Sequence, residues 1–256
     1  MPIILTEAPS SGVLLLRFNN PEKLNTLNQE MRDELMRLLD AAAADDDVRA
    51  VVMTGDEKAF IAGADLKAFA AADVAEIRSW NHEKFWHDLG VFPKPLIAAV
   101  NGYALGGGCE VMLCSDIIIM GEGVKIGLPE ITLGFMPGGG ASQRLPRAVG
   151  KYRAMQMILT GARIGAADAL EMELASEVVA DDAVLSRALE VAETVAAMPP
   201  LATKKVKQAV LMSQEEPFSD AMKQERELFY ELMATEDRAE GIQAFFDKRK
   251  PVFKGK

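Results

Sequence analysis

The sequence predicts an α/β fold followed by a helical C-terminal region. Over the first 180 residues, short apolar runs that suit buried strands alternate with stretches whose apolar residues recur at helical spacing. This alternation is typical of α/β proteins with right-handed connections. After Pro199 and Pro200 only helical patterns follow. We therefore predict a core that holds the functional site over 1–198, and a helical region over 199–256 that is an accessory lobe or an oligomer contact.

The predicted strands are apolar runs bounded by turn residues. In chain order they are two short strands within 2–19, then 49–54, 95–100, 117–120, one near 124–126, and 176–180. Gly55 ends the third of these runs, so the segment that follows, as far as Leu66, is predicted to be a loop.

The predicted helices rest on helix-start residues and on apolar residues at helical spacing. Thr26 is followed three residues later by Gln29, a capping-box pattern, so the first helix is predicted to begin at Thr26. The other predicted helices are one over 72–90, one after the glycines at 106–108, two that begin near 140 and 152, one over 166–174, one from 181, and three within 201–248.

Composition narrows the class of protein. The 256 residues, 49% of them hydrophobic, suffice for one sizeable core. The net charge of −10 makes nucleic acid and anionic membranes unsuitable partners. Cys109 and Cys114 have no companions at metal-ligand spacing, and His82 and His87 are five residues apart, so no metal site is expected. With no leader-like N-terminus and no membrane-length apolar run, we expect a soluble cytoplasmic protein.

The segment from Asn101 to Glu110 is the most informative of the chain. Its three consecutive glycines, at 106–108, lie between an apolar strand and an apolar helix, so a ligand can approach the main chain without meeting a Cβ atom. The first amides of a helix have no intrahelical partner and suit an anion, or an oxygen that becomes anionic. Glu110, three residues after Gly107, lies on the same side of the first turn. A plain glycine-rich turn, with Glu110 only starting a helix, is the alternative.

Other glycine-containing motifs do not complete a known pattern. The run Gly138-Gly139-Gly140 is not a dinucleotide fingerprint, because glutamine occupies position 143. Gly150-Lys151 lacks both the earlier glycine and the following Ser or Thr of a phosphate-binding loop. Neither a serine-hydrolase elbow nor a zinc-protease or EF-hand motif occurs. Phosphoryl transfer, metal-dependent hydrolysis and serine hydrolysis are therefore disfavoured.

Glu130 is a second candidate acid. It follows Pro129, which predicts a strand end or bend, and it lies in an otherwise apolar and glycine-rich stretch. Acids in such surroundings are usually paired or functional.

Three segments together resemble the enoyl-CoA hydratase branch of the crotonase superfamily, and the likeness runs from about Leu14 to Lys254. They read Ala62-Gly-Ala-Asp-Leu-Lys67, Asn101-Gly-Tyr-Ala-Leu-Gly-Gly-Gly-Cys-Glu110 and Leu128-Pro-Glu-Ile-Thr-Leu-Gly-Phe-Met-Pro-Gly138. The resemblance implies a crotonase-like spiral of ββα units, with C-terminal helices that assemble a homotrimer or a dimer of trimers. Ala141 stands where the family commonly has glycine, and we expect it to lie in a helix start.

The resemblance also implies roles for single residues. Two main-chain amides that bind the thioester oxygen fall at Ala64 and Gly107, and two catalytic carboxylates fall at Glu110 and Glu130. The implied contacts to substrate and coenzyme A fall at Lys23, Ala62, Asp65, Leu66, Lys67, Pro129, Gly138, Phe229 and Lys248. The last two could serve a neighbouring subunit.

The implied activity is hydration of trans-2-enoyl-CoA to 3-hydroxyacyl-CoA, with an acyl-CoA substrate and neither a metal nor a separate cofactor. Both glutamates are present, whereas relatives with other activities often change one or both, so hydration is preferred. A Δ3,Δ2-enoyl-CoA isomerase is an alternative. Another alternative is a hydratase specific for 2,3-dehydroadipyl-CoA. Its substrate ends in a carboxylate, which requires a cation at the far end of the acyl pocket, and the sequence does not show such a cation. An RNA-binding scaffold is the non-enzymatic alternative, against which the acidic composition argues.

Overall fold

A computed structural model describes all 256 residues. The strands are β1 (Ile4–Ser10), β2 (Val13–Phe18), β3 (Ala50–Thr54), β4 (Ala59–Ile61), β5 (Leu96–Val100), β6 (Tyr103–Leu105), β7 (Ile117–Gly121), β8 (Lys125–Gly127), β9 (Arg163–Gly165) and β10 (Glu177–Val179). The helices are α1 (Gln29–Ala44), α2 (Leu66–Ala71), α3 (Val74–Ser79), α4 (His82–Gly90), α5 (Gly107–Leu113), α6 (Ala141–Val149), α7 (Lys151–Thr160), α8 (Ala166–Glu171), α9 (Val184–Ala196), α10 (Pro200–Glu215), α11 (Phe218–Met233) and α12 (Glu236–Asp247). Short 3-10 helices cover Pro21–Lys23, Pro129–Leu133 and Asp181–Ala183.

The strands form two sheets. The larger has the order β1-β2-β3-β5-β7-β10 and is parallel from β2 onward, and the smaller has the order β4-β6-β8-β9. Three times in succession the chain adds one strand to the larger sheet, then one to the smaller sheet, and then helix. The predicted spiral of ββα units is therefore confirmed.

Two apolar clusters hold these layers together. The larger, of 36 buried residues, joins the larger sheet to β4, to β6 and to the helices α1, α4 and α5. The smaller, of 11, lies between the other face of the larger sheet and α9, where Val184, Ala188, Ala192 and Ala196 repeat every four residues. Because β3 and β5 carry apolar side chains on both faces, both strands are fully buried, as expected for a covered parallel sheet.

The prediction that the first helix begins at Thr26 was wrong. α1 begins at Gln29, and its N-cap is Asn28, whose side chain accepts a hydrogen bond of 2.8 Å from the amide of Met31. Leu27 is extended instead of helical, because its amide donates to the carbonyl of Gly63 (2.8 Å). A contact across 36 positions of sequence thus overrides the local capping pattern.

The loop and helix predictions for 55–90 also need correction. The predicted loop contains β4, which is stabilised by pairing with β6 in the smaller sheet. The region holds three helices in place of the predicted single helix over 72–90: α3 and α4 lie within those bounds, and α2, which was not predicted, precedes them. The divisions fall where Asp73 caps α3, with its carboxylate accepting from the amide of Glu76, and where Asn81 adopts a left-handed conformation. The strands β6 and β9 were not predicted; β6 is stabilised by pairing with β4 and β8, and β9 by pairing with β8.

The region after Pro199 has the three expected helices. α10 is fastened to the core by the buried Lys207, which donates to Asp116 (2.7 Å) and to the carbonyl of Lys94 (3.0 Å). Burial is the main influence on this pair: it lowers the pKa of Lys207 and raises the pKa of Asp116 in spite of their attraction. α11 and α12 leave large apolar side chains exposed, among them Phe218, Phe229, Tyr230, Ile242, Phe245 and Phe246. No helix combines the length and the apolar character that crossing a lipid bilayer requires.

Candidate active site

Two main-chain amides face one another where β4 and β6 end. Gly106 has φ +51° and ψ −123°, a conformation that favours glycine, and it turns the chain from β6 into α5. A Cβ atom at Gly107 would lie 3.9 Å from the amide nitrogen of Ala64, which follows the left-handed Gly63. Neither amide donates a hydrogen bond to another group of the chain. The junction therefore holds two free donors side by side.

Backbone packing keeps these donors together. A Cβ atom at Gly108 would lie 1.9 Å from the carbonyl oxygen of Ile61, so only glycine lets α5 approach β4 this closely. On the other side, the amide of Ala62 donates to the carbonyl of Leu24 (3.0 Å). The side chain of Leu27 packs at 3.4 Å from the Cβ position of Gly107. Contacts among three separate segments of the chain thus set the positions of both amides.

Glu110 lies in the first turn of α5 and is 3% exposed. Its Oε1 accepts hydrogen bonds from the amides of Gly139 (2.6 Å) and Ala141 (3.1 Å), at the start of α6. Burial raises the pKa of Glu110 to about 7, and the two amide hydrogen bonds oppose that rise. Ala141 is helical, as expected, and the left-handed residue before it is Gly140, with φ +100°.

Glu130 approaches the same place from the opposite side. It lies in the 3-10 helix Pro129–Leu133 and is 8% exposed. A Cβ atom at Gly106 would lie 2.8 Å from its Oε1, and its Oε2 has no hydrogen-bond partner. Burial raises the pKa of Glu130, and the charge of Glu130 adds to the rise of the pKa of Glu110. The two carboxyl groups therefore interact across a shared space next to the free amides.

Aromatic side chains enclose this space. The ring of Trp86 lies 2.4 Å from the Cβ position of Gly139, so a side chain there would meet both this ring and Glu110. Phe135, which follows the 3-10 helix of Glu130, stacks on Phe69 of α2 with ring centroids 6.4 Å apart. These aromatic residues were not predicted from the sequence. For Trp86, two consecutive aromatic residues, Phe85 and Trp86, within one short helix are the signal that could have found it.

The structure places most of the other predicted residues around this site. Ala62, Asp65, Leu66 and Lys67 continue from Ala64 into α2, and Pro129 is the neighbour of Glu130. Lys23 ends the 3-10 helix Pro21–Lys23 just before Leu24, whose carbonyl binds Ala62, and Gly138 is exposed beside Gly139.

Phe229 and Lys248 are not brought to the site within one chain. Phe229 contacts Arg226 and Tyr230 of its own helix, and Lys248 ends α12. No hydrogen bond or aromatic contact joins either residue to the carboxyl groups or to the free amides.

The cysteines and histidines do not form a metal centre. No group of three or more His, Cys, Asp or Glu side chains is placed to hold a metal ion. Cys109 and Cys114 are both buried, and burial raises the pKa of Cys114 to about 11, so neither is placed as a reactive thiolate.

Paired free amides suit a carbonyl oxygen that becomes negatively charged, and paired buried carboxyl groups suit proton transfer next to it. Fold and site together thus define an enzyme for acid–base chemistry on a carbonyl compound. The family model described as enoyl-CoA hydratase/isomerase matches residues 8–256, and the chain belongs to this family.

Named relatives agree with this assignment. The chain is 48% identical over 244 residues to a 2,3-dehydroadipyl-CoA hydratase of Escherichia coli (strain K12), covering 95% of this chain and 96% of that protein. It is 46% identical over 240 residues to a probable enoyl-CoA hydratase of Rhizobium meliloti (strain 1021), covering 94% and 93% respectively. The crystal structure of an enoyl-CoA hydratase from Bacillus anthracis superposes with a TM-score of 0.96 at 35% identity, covering 99% of this chain and all of that one.

Proposed function

We propose that this protein adds water to trans-2-enoyl-CoA thioesters to form 3-hydroxyacyl-CoA. The observation that carries the proposal is the meeting of two buried carboxyl groups, Glu110 and Glu130, beside the free amides of Ala64 and Gly107. Family membership supplies the substrate class, a CoA thioester.

The two amides are proposed to bind the thioester oxygen. Attack of water on Cβ moves electrons through the conjugated system onto this oxygen, and an enolate forms. Ala64 and Gly107 are already placed to donate to it, so little reorganisation is required as the charge develops. Removing one donor of this kind typically lowers the rate by a factor of about 10²–10³.

The two glutamates are proposed to divide the proton transfers. Glu110 accepts two main-chain hydrogen bonds at Oε1, which favour its charged form, so it is the base that takes a proton from the attacking water. Glu130 has an Oε2 that no donor reaches, and burial favours its neutral form, so it is the acid that protonates Cα of the enolate. The water oxygen bonds to Cβ and keeps its other proton as the new hydroxyl group. Transfer of one proton from Glu110 to Glu130 then returns both carboxyl groups to their starting states.

Coenzyme A is proposed to lie along Ala62–Lys67, with Lys23 and Lys67 as exposed cations near its phosphates. The chemistry needs no further cofactor. The exposed apolar faces of α11 and α12 support the proposal that the region 199–256, distinct from the core over 1–198, assembles a trimer or a dimer of trimers. In that assembly Phe229 and Lys248 would serve a neighbouring subunit. The cytoplasmic location stays a prediction from the sequence.

The purified wild-type protein tests the proposal. With crotonyl-CoA we expect loss of the conjugated thioester and formation of 3-hydroxybutyryl-CoA, identified by chromatography. With a 3-enoyl-CoA, formation of the conjugated product without hydration would instead support the isomerase alternative. If crotonyl-CoA and longer 2-enoyl-CoA thioesters are all left unchanged, the proposed function is wrong.

The pKa of Glu110 also predicts a dependence of stability on pH. Its pKa is raised in the folded protein from 4.5 to about 7, so the folded state holds a proton that the unfolded state releases between these values. The contribution is present in full below pH 4.5 and is lost as pH rises to about 7. Glu110→Gln cannot titrate at this position. We therefore expect its free energy of unfolding, taken relative to that of wild type, to rise by about 3 kcal/mol from pH 4.5 to pH 8. Urea unfolding at both pH values measures this, and an equal difference at both would contradict it.

A further inference from the structure

Arg32 is a buried cation that the proposed chemistry does not use. It lies on α1, is 7% exposed, and has no carboxylate within 4.0 Å. Its Nη2 donates to Gln29 (2.8 Å) and its Nη1 to the carbonyl of Leu27 (3.5 Å), but its Nε has no partner. The carboxylate of Asp33, the next residue, accepts instead from Gln29. The guanidinium is thus held in place while its Nε has no acceptor.

Burying a charge without a counter-charge is strongly unfavourable. Burial lowers the pKa of Arg32, with the neighbouring charge of Asp33 opposing the change only in part. An arginine remains charged at any physiological pH. An anion that binds beside Arg32 would supply both the missing charge and the missing acceptor.

Arg32 lines a cavity of about 300 Å³. Its walls include Leu27, Asp65, Phe69 and Trp80. Leu27 is the residue that packs on Gly107, and Asp65 directly follows Ala64. Two residues that adjoin the free amides therefore line the same cavity as the guanidinium.

A second unused polar group lies behind the aromatic wall of this cavity, in contact with Phe69 and Trp80. The Nε2 of His82 is buried and has no partner. The imidazole centroid lies 5.9 Å from the ring centroid of Phe69 and 5.4 Å from that of Trp80. Burial lowers the pKa of His82, and the charge of Arg32 adds to this shift, so the neutral form is favoured and Nε2 is free to form one hydrogen bond. Aromatic walls with polar donors at one end suit an apolar chain that ends in an anionic group.

We propose that Arg32 binds a carboxylate at the far end of the acyl chain, so that the protein prefers acyl-CoA thioesters of dicarboxylic acids to those that end in a methyl group. This inference rests on the proposed function, because that function places the thioester at the amides. A planar guanidinium binds a carboxylate through two parallel hydrogen bonds. A six-carbon acyl chain spans about 6 Å over its five C–C bonds. The sequence alone showed no cation for such a carboxylate, and in the tertiary structure Arg32 supplies one.

Binding of two saturated thioesters of equal length tests the inference without any turnover. Adipyl-CoA carries the distal carboxylate and hexanoyl-CoA does not, and calorimetry gives the Kd of each. We expect wild type to bind adipyl-CoA more tightly. Arg32→Met keeps the length of the side chain but removes its charge. We expect it to raise the Kd of adipyl-CoA roughly 10- to 100-fold, the range of a charge-assisted hydrogen-bonded pair. The Kd of hexanoyl-CoA should change far less.

Two further variants serve as controls. Arg37→Met removes an exposed arginine of the same helix, and it should leave both Kd values unchanged. Arg32→Lys keeps the charge but not the planar fork, and it should lose part of the preference for adipyl-CoA, which keeps the inference testable if Arg32→Met does not fold.

The inference is overturned if wild type binds adipyl-CoA no more tightly than hexanoyl-CoA. It is also overturned if Arg32→Met weakens both ligands equally, since Arg32 would then serve coenzyme A phosphates or the fold. Neither measurement depends on hydration, so failure of the proposed function would show separately, as inactivity of wild type on crotonyl-CoA.

Discussion

Replacing either Glu110 or Glu130 by glutamine is expected to lower the hydration of crotonyl-CoA by at least roughly 10²-fold, the scale of a positioned acid or base. Glutamine has nearly the same shape as glutamate, but it neither accepts a proton from water nor delivers one to carbon at neutral pH. In Glu110→Gln, the amides of Gly139 and Ala141 can still donate to the carbonyl oxygen of the new side chain, so the pocket should persist. We therefore expect the loss in kcat, with the affinity for butyryl-CoA, a saturated ligand, nearly unchanged.

Glu122→Gln is the matched control, because it makes the same chemical change at an exposed position in the turn between β7 and β8. Its kcat and KM should equal those of wild type. Normal turnover by Glu110→Gln or by Glu130→Gln would show that the corresponding carboxyl group takes no part in the reaction. Loss of butyryl-CoA affinity along with activity would indicate a damaged pocket instead.

Replacing Ala64 by lactic acid, which turns its amide into an ester, is expected to lower kcat/KM by about 10²–10³-fold. The change removes a single N–H group and keeps the methyl side chain. Because this amide donates to no other group of the chain, the fold loses no hydrogen bond at that nitrogen. The change should therefore weaken stabilisation of the transition state, in which the thioester oxygen is most negative. Steady-state kinetics with crotonyl-CoA measures the resulting fall in kcat/KM.

The same ester at Ala197 provides the control. That amide donates to the carbonyl of Glu193 (3.0 Å) at the exposed end of α9, so its loss should cost stability and leave kcat/KM unchanged. A protein with the ester at position 64 that hydrates crotonyl-CoA as fast as wild type would remove Ala64 from the proposed oxyanion pocket. If wild type and the protein with the ester at position 64 have equal melting temperatures, any activity that this variant loses does not reflect unfolding.

Long and strongly patterned elements could be predicted from the sequence. β3 and β5 are uninterrupted apolar runs, and α9 repeats small apolar residues at helical spacing, so local information suffices for both. Elements that depend on distant partners could not be predicted. β4 and β6 are each three residues long and stabilise one another, and Leu27 is extended because it binds Gly63. Their conformations follow from pairing across the chain instead of from their own residues.

The candidate site shows the same division. Glu110, Glu130 and the glycines between β6 and α5 stand out as residue types in unusual surroundings, and the family motifs assign roles to them. Arg32 gave no such signal, because a charged residue within a surface-type helix is ordinary. Only the packing of α1 against the cavity wall shows that this arginine is buried and that its Nε lacks a partner.

The sequence by itself therefore determined the fold class, the family and the chemical groups of the site, because these depend on residue type and on spacing along the chain. Tertiary structure alone decided which of those groups meet. The approach of Ala64 to Gly107, the burial that raises the pKa values of both glutamates, and the position of Arg32 in the lining of a cavity all arise between segments far apart in sequence. Dielectric environment and hydrogen-bond satisfaction are properties of a packed interior, and no local pattern of residues encodes them.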